Sequence, residues 1–211
     1  MTLKNNASTG CVTDLKRLVR DSYAKIATEN GRCSSSSCCT PQSARDPREQ
    51  GALLGYSPEQ LEGLDGRANL GLGCGNPIDR AGLKPGETVL DLGSGPGFDA
   101  LLAAEQVGAE GRVLGVDMTP EMIDKARKNA ARQRTVNIEF RLGEIEHLPV
   151  DDGVVDVVIS NCVINLSPDK EAVYQDIFRV LKPGGRICIS DVLLNREVPD
   201  ELKADPAAWC G

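Results

Sequence analysis

The sequence predicts an α/β fold with a doubly wound, mostly parallel sheet, and three observations lead to this prediction. From Thr88 onward, short apolar runs typical of strands alternate with segments of helical periodicity. The first of these runs ends in a glycine-rich turn at residues 93–97, and the second ends in Asp117. In such sheets, ligands bind beyond the carboxyl ends of the strands, where the strand order reverses. We therefore expect a ligand site at these two strand ends.

The predicted strands and helices follow one another closely along this half of the chain. Helices over 120–133 and 168–181 begin with proline at the first helical position, and Thr119 and Ser167 precede them as N-caps. Lys-Pro-Gly-Gly at 182–185 ends the last helix. The strands are expected at residues 88–92, 112–116, 137–142, 154–160 and 186–192.

The N-terminal part differs in composition, and we expect a boundary near residue 50. Residues 1–50 contain an amphipathic helix over 14–29 and then a loop rich in Cys and Ser. Residues 51–211 form the predicted cofactor-binding domain, in which short helices start at Ser57, with a capping-box pattern, and at Asn76.

Composition excludes several classes of function. A net charge of −7 and an aromatic content of 3% argue against a nucleic-acid partner. No apolar run reaches membrane-spanning length, and the N-terminus lacks the pattern of a secretory signal. We therefore expect no membrane partner and a cytoplasmic location.

The first turn indicates which cofactor the domain takes. Glycines at 93, 95 and 97 let the backbone approach a ligand, and a helix over 98–107 follows. Asp117 is placed to accept both hydroxyls of a ribose. Asp91, at the end of the first strand, would repel a diphosphate and suits a cationic amino-acid end. S-adenosylmethionine therefore fits the turn better than NAD does.

Eight cysteines and a single histidine are unusual for 211 residues. A disulfide framework is not expected in a reducing compartment, and the absence of a Cys-x-x-Cys pair gives a structural zinc site little support. Cys162 directly follows the fourth predicted strand, and Cys74 lies in a glycine-flanked loop. From the residues alone, each is either a ligand for a soft metal centre or a small buried apolar residue.

Several motifs resemble known families. Val-Leu-Asp-Leu-Gly-Ser-Gly-Pro-Gly at 89–97 and Leu-Lys-Pro-Gly-Gly at 181–185 resemble class I S-adenosylmethionine-dependent methyltransferases. Asn-Leu-Gly-Leu-Gly-Cys-Gly-Asn-Pro at 69–77, Val-Asp-Met-Thr-Pro-Glu-Met at 116–122, and Ser-Asn-Cys-Val-Ile-Asn-Leu-Ser-Pro-Asp-Lys at 160–170 narrow the likeness to the arsenite methyltransferases. The resemblance runs from about residue 12 to the end of the sequence.

The resemblance implies that arsenite, or its thiol adduct, receives methyl groups from S-adenosylmethionine while thiolates of Cys74 and Cys162 hold the arsenic. It also implies Cys210 as a third ligand or its neighbour, and thioredoxin or glutathione as co-substrate in reduction. A cysteine of the cluster Cys33, Cys38 and Cys39 is expected to take part in that reduction, with Cys39 preferred; the alternative is that these are exposed thiols of a loop without a role. Trivalent arsenic carries a lone pair and needs no base, and the only histidine, His147, lies on the expected adenine side. The implied cofactor contacts are Asp91, Gly93, Ser94, Gly95, Gly97, Asp117, Met118, Glu144, Ile145 and Asn161.

Two alternatives and one departure accompany this interpretation. Class I methyltransferases complete the sheet with two further strands, for which this chain has no residues left, so we expect the last strands to be missing and the chain to be incomplete. One alternative is another small-molecule methyltransferase, of the quinone-ring C-methylating type, which would not need Cys74 or Cys162. The other is a non-catalytic, thiol-based metalloid-binding protein with a vestigial cofactor pocket.

Overall fold

The predicted sheet is present. The computed structural model describes residues 9–28, 46–63 and 67–193. In the described part, five strands form one sheet in the order β3-β2-β1-β4-β5, and every neighbouring pair is parallel. The order reverses between β1 and β4, so their carboxyl ends border the expected ligand site. The strands are β1 (Thr88–Leu92), β2 (Arg112–Asp117), β3 (Ile138–Leu142), β4 (Val155–Asn161) and β5 (Leu181–Ser190).

Helices cover both faces of the sheet, as expected for a doubly wound fold. One core contains side chains of α4, α5 and α6, and the other contains those of α7 and the segment that follows β3. Helix α1 packs on α6 and begins earlier than predicted. The helices are α1 (Thr9–Thr28), α2 (Pro47–Leu53), α3 (Pro58–Gly63), α4 (Pro77–Ala81), α5 (Phe98–Val107), α6 (Pro120–Gln133) and α7 (Lys170–Val180), with a 3₁₀ turn at Ile164–Leu166.

Two predicted helix starts have the bonds that their sequences indicate. The Ser57 amide donates to Gln60 Oε1 at 2.8 Å, and the Gln60 amide donates back to Ser57 Oγ at 3.3 Å. This reciprocal pair is a capping box at the start of α3. The Asn76 side chain accepts a bond from the Asp79 amide at 3.1 Å and caps α4. Both helices begin with proline, which needs no amide partner there.

The N-cap of α7 differs from the predicted one. Asp169, not Ser167, is the N-cap, and its carboxylate accepts from the Ala172 amide at 3.0 Å. The Ser167 hydroxyl is already used, because it accepts from the Asp169 amide and donates to Glu146 at 2.6 Å. Thr119 occupies the predicted N-cap position of α6, although its side chain forms no capping bond.

The segment predicted to end the last helix belongs to a strand instead. Helix α7 ends at Val180, and β5 starts at the next residue. Leu181 pairs with Val155, and regular pairing resumes between Arg186 and Val157, so residues 182–185 form an irregularity at the start of β5. Proline and glycine are tolerated at such an irregularity, because ladder hydrogen bonds are interrupted there.

Within the described residues, no helix has the length and apolar character needed to cross a membrane. The boundary at residue 50 and the expectation that the last strands of the sheet are missing from this chain stay predictions.

Candidate cofactor and thiol site

A cavity opens at the carboxyl ends of β1, β2 and β4, where the fold predicts a ligand. Its walls come from the glycine turn after β1, the ends of the other two strands, and α1 with the segment around residues 68–73. Most predicted cofactor residues line it, while Gly97, Glu144 and Cys74 are not part of the lining. The lining members of the predicted set are Asp91, Gly93, Ser94, Gly95, Asp117, Met118, Ile145, Asn161 and Cys162.

The glycine turn requires glycine at three positions. Gly93, Gly95 and Gly97 have φ values of 62°, 52° and 90°, a region that disfavours side chains. A Cβ at Gly93 would collide with Val163, and a Cβ at Gly97 would lie 2.7 Å from Phe140. Gly97 therefore allows close packing of α5 against the sheet, while Gly95 has open space beside it.

Three buried carboxyl groups give the cavity its electrostatic character. Burial raises the pKa of Asp91, Asp99 and Asp117, and the nearby charges of the latter two raise that of Asp91 further. Asp91 Oδ2 and Ser94 Oγ are buried without a hydrogen-bond partner among the described residues. A cationic ligand would reduce the electrostatic repulsion among these carboxylates. The ammonium and sulfonium groups of S-adenosylmethionine fit it, whereas a diphosphate does not.

Asp117 is oriented for a hydroxyl-bearing ligand. Its Oδ2 accepts from the Gly95 amide at 2.9 Å, and its Oδ1 accepts from the Thr119 amide at 2.8 Å. These bonds fix the carboxylate plane at the cavity wall and leave further lone pairs on both oxygens. The arrangement fits two ribose hydroxyls, as the sequence predicts.

The opposite end of the cavity differs from the expectation in one residue. Met118 and Ile145 line it, but Glu144 forms an ion pair with Lys16 of α1 at 2.6 Å and lies about half exposed at the rim. Glu146 lines the cavity instead, is buried, and lies 3.1 Å from the Lys16 ammonium. The alternation Glu-Ile-Glu could have indicated two different carboxylate environments. That Glu144 contacts adenine stays a prediction.

Cys74 and Cys162 lie side by side at the edge of the cavity. Both thiols are free and half-buried, and they are close enough for Cys162 to influence the pKa of Cys74. Burial, the Cys162 thiol and the charge of Asp191 together raise the pKa of Cys74 to about 12. The Cys74 thiol is therefore protonated at neutral pH unless a soft cation replaces the proton.

Cys162 is held in a conformation that is uncommon for a residue with a side chain. Its φ is 60°, and its amide donates to the Ser190 carbonyl at 2.7 Å. Asn165 Nδ2 lies 3.7 Å from Cys162 Sγ and also donates to Asp191 Oδ1 at 2.6 Å. Because the carboxylate only accepts, the amide nitrogen of Asn165 faces both groups. The backbone of Cys162 is thus fixed by Ser190, while its sulfur has a weak contact with Asn165.

Asn161 connects the Cys74 loop to the interior. Its Oδ1 accepts from the Cys74 amide at 3.0 Å. Its Nδ2 lies 2.9 Å from the Gly75 carbonyl, 2.9 Å from Asp99 Oδ2 and 3.1 Å from the Tyr56 hydroxyl. Tyr56 and Asp99 were not anticipated from the sequence, because nothing in their local context distinguishes them from core residues.

The remaining cysteines separate into two groups. Cys188 donates to the Pro77 carbonyl at 3.4 Å, packs against the hydrophobic core and does not line the cavity. Cys39 and Cys210, for which the sequence predicts roles in reduction and arsenic binding, lie outside the described residues. Within the described ranges, no three His, Cys, Asp or Glu side chains are grouped as a metal site.

Comparison with known proteins identifies the family. A model described as a methyltransferase domain matches residues 83–211. The chain belongs to this methyltransferase family. It is 49% identical over 207 residues to an arsenite methyltransferase of Halobacterium salinarum, a match that covers 94% of this chain and 52% of the relative. It is also 40% identical to an arsenite methyltransferase of Aquipseudomonas alcaligenes, with 90% of this chain and 54% of the relative covered.

A solved methyltransferase shares the fold. The crystal structure of an arsenic(III) S-adenosylmethionine methyltransferase from Chlamydomonas reinhardtii superposes with a TM-score of 0.59 at 43% identity. That match covers 77% of this chain and 55% of the other. The resemblance to arsenite methyltransferases predicted from the motifs is therefore confirmed. The chain spans about half the length of the curated relatives it matches.

Proposed function

We propose that this methyltransferase transfers methyl groups from S-adenosylmethionine to trivalent arsenic held by Cys74 and Cys162. The observation that carries the proposal is the pairing of these two thiols beside the acidic cavity. Similarity to arsenite methyltransferases over most of the chain supports it.

The thiol pair suits arsenite chemically. Trivalent arsenic is soft and thiophilic, and thiolates are the ligands that soft centres prefer. When a hydroxyl group of arsenous acid is replaced by sulfur, an As–S bond forms and the thiol proton leaves with the hydroxide as water. The exchange therefore needs no prior ionisation of Cys74, whose pKa is raised to about 12.

The cavity contributes to the reaction by positioning the two reactants and not by providing a general base. When bound there, S-adenosylmethionine provides an electrophilic methyl group. Cys162 lines the cavity and also belongs to the thiol pair, so arsenic on both sulfurs lies at the cavity edge. Asp91 and Asp117 would hold the cofactor, and arsenic on the two sulfurs would present its lone pair toward the methyl group that the cofactor supplies. Holding the two centres in line corresponds to effective molarities on the order of 10⁵ M or more.

Each transfer leaves arsenic in the pentavalent state, and two thiols must supply the electrons that restore it. We propose that Cys39 and a second cysteine thiol supply these two electrons by forming a disulfide, which cytoplasmic thioredoxin or glutathione then reduces. We propose Cys210 as a third sulfur ligand. Both assignments rest on the family resemblance.

Arsenic speciation after incubation with arsenite, labelled S-adenosylmethionine and a thiol reductant tests the proposal. We expect labelled methylarsenicals from the unmodified chain and at least a hundredfold less from Cys74→Ser or Cys162→Ser. Cys188→Ser is the matched control, because the Cys188 thiol is bonded to the Pro77 carbonyl and does not line the cavity, and it should retain the activity.

The same variants separate the alternatives. A quinone-type methyltransferase would produce no methylarsenical, and its cofactor-dependent activity would survive both substitutions. A non-catalytic metalloid-binding protein would bind arsenite but show no binding of S-adenosylmethionine by calorimetry.

A further inference from the structure

A carboxylate that the methyl transfer proposed above does not use lies beside the thiol pair. Asp191 directly follows β5, and its charge contributes to the raised pKa of Cys74. Asn165 Nδ2 lies 2.6 Å from Asp191 Oδ1 and 3.7 Å from Cys162 Sγ. Because one nitrogen atom makes both contacts, the Asp191 oxygen and the Cys162 sulfur are no farther apart than the sum of these distances. The carboxylate therefore lies close to both thiols.

The Asp191 carboxylate has room for one more hydrogen-bond donor. Its Oδ1 accepts from the Asn165 side-chain amide and from the Val192 amide at 2.8 Å, and its Oδ2 accepts from the Asn165 backbone amide at 3.1 Å. An ionised carboxylate offers about four lone-pair positions. Among the described residues, these three donors leave one position, on Oδ2. The carboxylate is thus held in place before a ligand arrives and can still accept a bond from it.

Asp191 approaches the thiol pair from outside the cofactor cavity. Cys162 lines that cavity, whereas Asp191 does not. Trivalent arsenic is pyramidal, and its three ligands lie on the side opposite its lone pair. When the lone pair faces the cavity, as methyl transfer requires, the ligands of arsenic point away from the cavity. A third ligand beside the two sulfurs therefore points toward the side on which Asp191 lies.

We infer that Asp191 is a specificity-determining residue that accepts a hydrogen bond from a hydroxyl group on arsenic held by the thiol pair. The inference rests on the proposed function, because Cys74 and Cys162 are there the arsenic ligands. When two thiols displace two hydroxyl groups of arsenous acid, two As–S bonds form, two As–O bonds break and two water molecules leave. The oxidation state of arsenic does not change, and one hydroxyl group remains on it.

This remaining hydroxyl group defines the substrate class that Asp191 selects. Arsenite keeps one hydroxyl group after it has bound two thiols, and the third sulfur ligand proposed above would replace that group only at a later stage. Phenylarsine oxide also binds two thiols and loses its oxygen as one water molecule, but its third ligand is then a phenyl group. Phenylarsine oxide therefore needs the thiol pair and gains nothing from Asp191.

The comparison of these two probes also separates recognition from a structural role. The bonds of Asp191 to Asn165 join the end of β5 to the 3₁₀ turn at Ile164–Leu166, which directly follows the Cys162 segment. If Asp191 only maintained the thiol pair, its loss would weaken the binding of both probes. If it accepts a bond from the hydroxyl group, its loss weakens the binding of arsenite alone.

The test measures the affinities of the full 211-residue chain for arsenite and for phenylarsine oxide by calorimetry. Cys33, Cys38, Cys39 and Cys210 are serine in every variant, so that none of these thiols binds a probe or displaces the hydroxyl group. We expect Asp191→Asn to weaken arsenite binding about 10- to 100-fold, the usual contribution of a hydrogen bond to a charged acceptor. Binding of phenylarsine oxide should change less than about twofold.

Three further variants complete the experiment. Asp191→Ser removes the carboxylate with a smaller side chain and should show the same selective loss. Asp124→Asn, on the exposed side of α6, should leave both affinities unchanged. Cys162→Ser should lose the binding of both probes, because each needs the thiol pair.

The outcomes distinguish this inference from the proposed function. Equal losses for the two probes in the Asp191 variants would show that Asp191 only maintains the thiol pair. An unchanged arsenite affinity would show that Asp191 does not contact the hydroxyl group. Either result overturns the inference and leaves the arsenic site in place. If neither probe binds the chain in which Asp191 is intact, the proposed function fails and the inference fails with it.

Discussion

The two halves of the site are built in different ways. The cofactor half consists of backbone turns and carboxylates that follow β1 and β2, so its residues are neighbours in sequence. The thiol half is assembled from distant segments, since Cys74 and its partner Asn161 are 87 positions apart. The cofactor half is therefore specified locally, while the thiol half depends on the whole fold. A substitution in one half should therefore leave the other half largely unaffected.

The largest effect on the cofactor half is expected from Gly93→Ala. The added methyl group would collide with Val163 and would occupy a backbone conformation with φ of 62°. We expect S-adenosylhomocysteine affinity to fall at least a hundredfold by calorimetry, and the melting temperature to fall in keeping with a loss of about 2–4 kcal/mol.

Gly86→Ala is the control for this substitution. Gly86 has φ of 84° but no atom near its Cβ position, so it has the same backbone strain without the collision. Gly86→Ala should lower the free energy of unfolding by about 1 kcal/mol and leave ligand affinity unchanged. Equal effects of the two substitutions on ligand affinity would contradict the assignment of the glycine turn at residues 93–97 as part of the cofactor site.

Asp91 should make cofactor binding dependent on pH. Burial and the neighbouring carboxylates raise the pKa of Asp91 in the free protein, and a cationic ligand favours its ionised form and lowers that pKa. Binding therefore releases a proton, and affinity rises as pH increases through the raised pKa. Calorimetry with S-adenosylmethionine over a pH series above the ordinary range of an aspartate should show this rise.

Asp91→Asn should flatten this dependence and weaken binding about 10- to 100-fold, since the amide carries no charge. Asp124→Asn, on the exposed side of α6, should behave like the unmodified chain. Affinity that falls with increasing pH in the unmodified chain would show that the ligand does not engage an ionised Asp91.

A smaller effect should distinguish Glu144 from Glu146. Glu146 is buried in the cavity wall, whereas Glu144 is about half exposed and pairs with Lys16. We expect Glu146→Gln to weaken S-adenosylhomocysteine binding about tenfold and Glu144→Gln less than about threefold, because only the first disturbs a buried charged hydrogen bond. The reverse order would place adenine against Glu144, as the motif resemblance implies.

The smallest expected effect concerns Asn165 in the thiol half. Its amide lies 3.7 Å from Cys162 Sγ, so the contact with sulfur is weak. Asn165→Leu should change the alkylation rate of Cys162 by about two- to threefold and leave cofactor affinity unaltered. A large loss of cofactor affinity would show that the two halves are less separate than the geometry indicates.

The sequence predicted the cofactor half well, because its geometry depends on local residues. Asp91 lies near the end of β1, the glycine turn follows that strand, and Asp117 is the last residue of β2. Parallel strands bring such ends to one edge of the sheet. The capping box at Ser57 was likewise predictable, since its two partners are three residues apart.

The sequence did not predict features that depend on tertiary contacts. The network of Tyr56, Asp99 and Asn161 exists only once β4 and α5 are packed, and the caps at Ser167 and Asp169 depend on where Glu146 lies. The irregularity at residues 182–185 was missed because proline and glycine there also suit a helix end. The proximity of Cys74 and Cys162 came from a resemblance, not from their spacing.

The most direct measurement is X-ray absorption at the arsenic edge on the chain loaded with one equivalent of arsenite. The account predicts at least two sulfur neighbours around arsenic, one fewer in Cys74→Ser and one fewer in Cys162→Ser, with no change in Cys188→Ser. Arsenic surrounded by oxygen alone, or a sulfur count that neither substitution alters, would contradict it.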